Sequence, residues 1–295
     1  MTPADRRIAD WQARGQDLDV FGRRLFTVTE GPDDAPDLVV LHGYPTSSID
    51  FAATLPALSA RYRVHLHDHL GYGLSEKPAD YSYSLIEQAE HACQSWVQRG
   101  VTEAHLLAHD YGTSVATELL ARRERGGLPV TLRSVTLTNG SVLLDLAKPR
   151  LIQWILAGRF GPTVAQLAGY GTFRRNLRAT LSDPGLMPED EVAANWTLLT
   201  RDGGRDAIAP ISRYLHERFK FMNRWVGALR RLDLPTHILW GDRDPVARVA
   251  VAEGLAERIP GATLTWLEGL GHYPMVEDPA RWSAGVLDFL APLDP

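Results

Sequence analysis

The feature that most restricts the fold is an alternation: short β-branched and leucine-rich runs recur along the chain, separated by longer stretches of helical periodicity. Runs too short for helices, divided by helix-length segments, predict parallel strands joined by crossover helices. The fold class is therefore α/β, with a mostly parallel central sheet and flanking helices. The predicted strands are Arg24–Thr29, Leu38–His42, Arg63–His67, Ala104–Ala108, Arg133–Thr138, Thr236–Trp240 and Thr263–Leu267. Ligands of such sheets sit outside the carboxyl ends of the strands, so the residues after each run are the ones to read for chemistry. The strand rhythm stops between Ser141 and about Leu229, where Trp154, Phe160, Tyr170, Trp196, Tyr214 and Trp225 lie in helical patterns punctuated by prolines. Residues 1–140 and 230–295 are expected to form one core domain. Residues 141–229 are expected to be an inserted helical cap that closes over the strand ends and encloses an apolar, water-poor cavity.

The run Ala104–Ala108 leads straight into His109-Asp110-Tyr111-Gly112-Thr113, and Val115, Ala116, Leu119 and Leu120 then follow at helical spacing. That is a strand, a sharp turn and a helix. A side chain exposed on such a turn needs small neighbours two residues to either side, here Ala108 and Gly112. The pattern is that of a nucleophile elbow with Asp110 where serine is usual. An aspartate at a helix start can also be no more than a cap. Two further strand ends weigh against that: Asp244 follows Thr236–Trp240 in Gly241-Asp242-Arg243-Asp244-Pro245, and His272 follows Thr263–Leu267 in Gly269-Leu270-Gly271-His272-Tyr273-Pro274. The order Asp110, Asp244, His272 is the order nucleophile, acid, base of this kind of sheet. After Leu38–Leu41 comes His42-Gly43-Tyr44-Pro45-Thr46-Ser47-Ser48, where the backbone N–H of Tyr44 is placed to pair with that of Tyr111 as an oxyanion hole. The glycine-rich segment Asp68–Ser75 reads as a structural turn near the pocket.

These segments together resemble the epoxide hydrolase and haloalkane dehalogenase branch of the α/β-hydrolase family, over nearly the whole chain. His42-Gly43-Tyr44-Pro45 is similar to the HGxP motif of epoxide hydrolases, whose X-Pro bond is typically cis, and His109–Gly112 to their nucleophile segment. His42–Ser48, His109–Gly112 and Arg224-Trp225-Val226-Gly227-Ala228-Leu229 resemble a vertebrate member of the family most closely. The resemblance implies hydrolysis in two steps: Asp110 attacks carbon to form an alkyl ester, and His272, oriented by Asp244, activates water to cleave it. For an epoxide it implies a cap tyrosine as proton donor, and Tyr214 stands where one is expected. The second tyrosine position falls near Asn195-Trp196, which is a departure. Dehalogenases usually hold halide with a tryptophan after the nucleophile, where this chain has Tyr111, and with a cap tryptophan, for which Trp196 would serve. Epoxide hydrolysis to a vicinal diol is the preferred expectation and halide release from a haloalkane the alternative. A non-catalytic binding module on the same fold has no need of nucleophile, acid and base together.

Composition closes off other classes. A net charge of −5 and 44% hydrophobic residues in 295 argue against nucleic acid as a partner and against a polybasic membrane patch. No run is long and apolar enough to span a bilayer. Met1–Gly15 lacks the apolar core of a secretory signal, and the single cysteine, Cys93, has no internal partner, so a cytoplasmic enzyme is expected. His65-Leu66-His67-Asp68-His69 imitates a metal-binding run but lacks one residue of the required spacing, and no strand is followed by a glycine-rich nucleotide motif. No metal or cofactor is expected; the partners are a small apolar substrate and water.

Overall fold

In the computed structural model, which describes residues 1–294, eight strands form one sheet. They are β1 (Gly15–Val20), β2 (Arg23–Glu30), β3 (Asp37–Leu41), β4 (Arg63–His67), β5 (Glu103–His109), β6 (Thr131–Thr138), β7 (Thr236–Gly241) and β8 (Thr263–Leu267), in the spatial order β1-β2-β4-β3-β5-β6-β7-β8. From β4 to β8 every pairing is parallel. The sheet is mostly parallel, as expected, with the first two strands the exception: β1 and β2 form an antiparallel pair, and β2 lies antiparallel to β4. The two-residue link between β1 and β2 is too short for a crossover helix, and it runs through Phe21 and Gly22, both at positive φ.

Both faces of the middle of the parallel part are covered, so β3, β5 and β7 bury nearly every residue. Along β3 the side chains alternate between two cores, with Leu38 and Val40 in one and Val39 and Leu41 in the other. One face carries the helices α3 (Leu85–Gln98) and α4 (Tyr111–Arg123). The N-terminal helix α1 (Pro3–Gln12) and α2 (Leu55–Ser59) contribute to the opposite core. Helix α1 starts at a capping box in which Thr2 Oγ1 accepts from Asp5 N–H at 3.1 Å and Asp5 Oδ2 accepts from Thr2 N–H at 2.9 Å. Helix α4 is buried from Tyr111 to Ala121, and each leucine it hides, Leu119 for example, stabilises the fold by about 1.5–3 kcal/mol.

Between β6 and β7 the chain forms seven consecutive helices: α5 (Leu151–Ala157), α6 (Gly161–Leu167), α7 (Tyr170–Arg178), α8 (Glu189–Thr200), α9 (Gly204–Ser212), α10 (Tyr214–Lys220) and α11 (Met222–Arg230). They occupy the segment that lacks the strand rhythm. Helix α11 is tied to α4 through Glu118, whose carboxylate accepts from Arg224 Nε and Trp225 Nε1, both at 2.8 Å. After β7 come α12 (Val249–Arg258), then β8, α13 (Pro274–Glu277) and α14 (Pro279–Leu290), whose Trp282 and Val286 are fully buried.

Candidate active site

The spatial order β4-β3-β5 reverses the direction in which the sheet is built, so the ends of β3 and β5 open a crevice between them. Asp110 and Tyr44 lie at those two ends. Asp110 occupies the one residue between β5 and α4 with φ 43° and ψ −109°, and its own N–H donates to Thr138 O at 3.2 Å. Its side chain makes no capping hydrogen bond to α4, so it is not held there as a helix cap. Gly112 is needed for a reason other than the expected closeness to Ala108: a Cβ there would lie 2.5 Å from Leu41 O, at the end of the neighbouring strand. Gly43 is confined in the same way, since a Cβ would lie 2.7 Å from His109 Nδ1 and 2.9 Å from Asp110 Cβ. The two glycines let β3 and α4 close on each other around the carboxylate.

The geometry brings Asp110, Asp244 and His272 together. The Tyr44 N–H donates to Asp110 Oδ2 at 3.0 Å, while His272 Nε2 stands 3.8 Å from Asp110 Oδ1. Behind the imidazole, His272 Nδ1 is 2.7 Å from Asp244 Oδ2, which fixes the ring orientation. Burial pulls the imidazolium of His272 down, but the Asp244 carboxylate, with Asp110 beyond it, outweighs burial and raises its pKa above the ordinary histidine value. Asp244 is held by four donors: the N–H groups of Val246 and Ala247 on Oδ1, and His272 and Asn139 on Oδ2. The Tyr111 N–H, first in α4, has no acceptor within its helix. The Tyr44–Pro45 peptide is cis.

A cavity of about 390 Å³ opens above these groups, between the strand ends and helices α5–α9. Tyr44, Asp110, His272 and Tyr273 contribute its floor, and Leu156, Phe173, Leu177, Leu199 and Ile208 give it an apolar wall. Trp196 is on that wall. Tyr214 and Asn195 are not: both are buried behind it. The Tyr214 hydroxyl accepts from Gln153 Nε2 at 3.0 Å, and its ring packs edge-on against Tyr111 with 5.4 Å between centroids. The amide of Asn195 has no hydrogen-bond partner among the described residues. The Tyr111 ring likewise turns away from the cavity, onto Tyr72 and His69.

Two residues of the site were not singled out from the sequence. Asn139, directly after β6 and at φ 45°, bridges Asp244 Oδ2 at 2.8 Å and Gly271 O at 3.2 Å, and its Oδ1 accepts from Gly241 N–H. Its place after a predicted strand was the available signal. Gln153 lines the cavity with its amide fixed at both ends, Oε1 accepting from Arg150 N–H at 2.6 Å and Nε2 donating to Tyr214. Nothing in a single glutamine of an apolar helix marks it in advance. The decoy run behaves as a structural one: His65 pairs with Asp37 at 2.7 Å, and Asp68 receives the N–H groups of Ser48 and Leu74.

Comparison with known proteins agrees with this architecture. The model of the alpha/beta hydrolase family matches residues 38–284. The chain is 42% identical over 284 residues to LipZ of Mycobacterium tuberculosis, a presumed hydrolase, covering 96% of this chain and 98% of LipZ. To the mesoderm-specific transcript protein of Mus musculus it is 32% identical over 294 residues, covering 96% and 88% of the two chains. Among solved structures it is similar to the epoxide hydrolase CorEH, with a TM-score of 0.80 at 20% identity, covering 95% of this chain and 99% of that one. Haloalkane dehalogenases are found among both the relatives and the structural neighbours. On this fold and these matches, the chain belongs to the α/β-hydrolase family.

Proposed function

We propose that the protein is a hydrolase with Asp110 as nucleophile, Asp244 and His272 as acid and base, and residues 141–229 as the cap, and that its substrate is an epoxide. The observation that carries the reading is the pair of contacts on one carboxylate: an N–H on Asp110 Oδ2 and an imidazole facing Oδ1, on the floor of an apolar cavity. In the first step Oδ1 attacks an epoxide carbon, the C–O bond of the ring breaks, and an alkyl ester forms on Asp110. The alkoxide needs donors opposite Asp110. Gln153 offers an amide N–H on the wall, and the Tyr214 phenol that it covers, held protonated by burial, supplies the proton when the Gln153 side chain turns aside. In the second step His272 takes a proton from water, which adds to Cγ of Asp110 while the Tyr44 and Tyr111 N–H groups support charge on Oδ2. Collapse breaks the bond from Cγ to Oδ1, the leaving oxygen takes the proton from His272, and the vicinal diol departs; the proton left on the Asp110 carboxyl then passes through water to the Tyr214 phenolate, which restores the carboxylate and the phenol together.

The two-step character is tested with His272→Gln, which retains ester formation and loses ester hydrolysis. Intact-mass measurement after adding epoxide should show the substrate mass retained on the protein. A variant that stays unmodified under conditions where the native enzyme makes diol would refute the mechanism.

The second reading, halide release, has one observation in its favour: Trp196 lies on the cavity wall, where an indole N–H can hold an anion. Tyr214→Phe and Trp196→Phe separate the two. If the substrate is an epoxide, loss of the Tyr214 hydroxyl should slow ring opening by ~10²–10⁴-fold, the usual worth of such a donor, and Trp196→Phe should cost far less. A silent Tyr214→Phe together with halide release that Trp196→Phe blocks would establish the dehalogenase instead.

A further inference from the structure

The net charge of −5 averages over an uneven distribution. Between Leu146 and Ser182 the chain carries Lys148, Arg150, Arg159, Arg174, Arg175 and Arg178 and not one acidic residue. Arg174 and Arg178 share Glu189, at 2.8 and 3.1 Å, whereas Lys148, Arg150, Arg159 and Arg175 form no ion pair among the described residues. The same segment exposes large apolar side chains. Leu151 is 76% exposed, Phe160 60% and Leu167 80%, and Ile152, Trp154 and Ile155 are exposed beside them. At about 100° per residue, Trp154, Leu151, Ile155 and Ile152 form one unbroken arc of α5, while Gln153, Leu156 and Ala157 turn inward. The arc continues onto α10, where the exposed Phe219 ring lies 5.7 Å from that of Trp154. Ile152 and Leu167 belong to this outer face and to the cavity wall at once, so the apolar face borders the cavity.

We propose that this face docks on an anionic phospholipid bilayer, so that an apolar substrate passes from the lipid into the cavity beside Ile152 and Leu167. Exposed Trp, Phe, Leu and Ile interleaved with unpaired Lys and Arg are the composition of a surface that lies in the interface plane of a membrane. A contiguous apolar patch of this kind, rimmed by charge, marks an interaction surface rather than ordinary surface variation. A second copy of the chain fits it less well. In a two-fold contact the same cations would meet across the interface with no carboxylate from this segment between them. Docking is separable from the reaction proposed above; only the delivery of substrate rests on that reading.

The test is sedimentation of the full chain with vesicles of phosphatidylcholine alone or of phosphatidylcholine with phosphatidylglycerol, read without any turnover assay. The native protein should partition onto the phosphatidylglycerol-containing vesicles and be released as salt is raised. The double variant Leu151→Asp/Phe160→Asp, neither side chain being on the cavity wall, should lose about tenfold or more of that partition. It should keep the native unfolding temperature and native turnover of a water-soluble epoxide, or of whatever substrate the native enzyme proves to use. Lys148→Glu/Arg159→Glu should likewise weaken binding to the anionic vesicles. The proposal is overturned if the native protein stays in the supernatant with both vesicles, or if the Leu151→Asp/Phe160→Asp variant binds as well as native. It is overturned equally if analytical ultracentrifugation shows a dimer that this variant dissolves while no vesicle binding is found.

Discussion

A φ of 43° at Asp110 costs a side-chain-bearing residue about 1–3 kcal/mol, and the surroundings have to hold it there. They do so from both sides of the peptide: Asp110 N–H is engaged by Thr138 O, and Asp110 O accepts from Thr113 N–H at 3.0 Å and Thr113 Oγ1 at 2.6 Å. The turn lifts the carboxylate toward His272, whose protonation is set by opposed effects, burial pulling its pKa down and the Asp244 carboxylate pushing it up to a net increase. A base works only when unprotonated, so a raised pKa moves the acidic limb of the pH–rate profile upward. Asp244→Asn removes the raising charge and leaves burial, so the limb should move to lower pH while kcat falls. A limb that stays where the native one lies would mean that His272 is not the titrating base. Asp110, Asp244 and His272, which the fold brings together, could be picked out in sequence because each lies in the segment that follows a strand, Asp110 at once after β5 and the other two in the loops after β7 and β8. Asn139 follows one too, but an asparagine after a strand is ordinary turn chemistry, and its link to Asp244, 105 positions away, exists only in three dimensions.

Helix α4 carries the Asp110 turn at one end and is anchored near its middle by Glu118, which accepts from Arg122 in its own helix and from Arg224 and Trp225 in α11. The arginines reach solvent when the carboxylate is lost, but the buried Trp225 N–H does not. Glu118→Ala should therefore lower stability by about 1–3 kcal/mol, read as a fall in unfolding temperature, through an unpaired buried donor and a loosened α4–α11 contact. Glu118→Gln keeps an acceptor for that indole and should recover part of the loss; if both variants unfold where the native protein does, the anchor contributes nothing. Strands were readable where apolar and β-branched residues dominate the run. The seven strands from β2 to β8 announce themselves as apolar runs, and the observed ends differ from the expected ones by two residues at most. Strand β1, Gly-Gln-Asp-Leu-Asp-Val, did not, because Gln16, Asp17 and Asp19 mask its period, whereas the other edge strand, β8, keeps Leu264, Trp266 and Leu267. Helix α1 was also passed over, although Thr2-Pro3-Ala4-Asp5 spells a capping box.

At the scale of the whole molecule, the sheet supplies the floor of the cavity and the seven helices between β6 and β7 supply its wall. That helices fill this segment followed from the loss of strand rhythm after Ser141. Which side chains of the helices reach the cavity did not, because a helix of seven residues turns each position to a face that only packing decides; Gln153 therefore came forward where Tyr214 was expected. On the proposed mechanism, the floor carries the chemistry while the wall selects which substrates fit. A cavity of about 390 Å³ is near the lower end of the usual range for small-molecule sites, so a modest loss of volume should be felt first by larger substrates. Ala168, at the end of α6, is half-buried on the wall and lies outside the Asp110–Asp244–His272 cluster. Ala168→Phe narrows the cavity without touching that cluster. Its kcat/KM for a bulky apolar epoxide should fall markedly, through KM, while a small epoxide is turned over at close to the native kcat. If both substrates lose kcat equally, the wall is coupled to the chemistry and does not merely select by size; if neither changes, the cavity between the helices and the strand ends is not where the substrate is held.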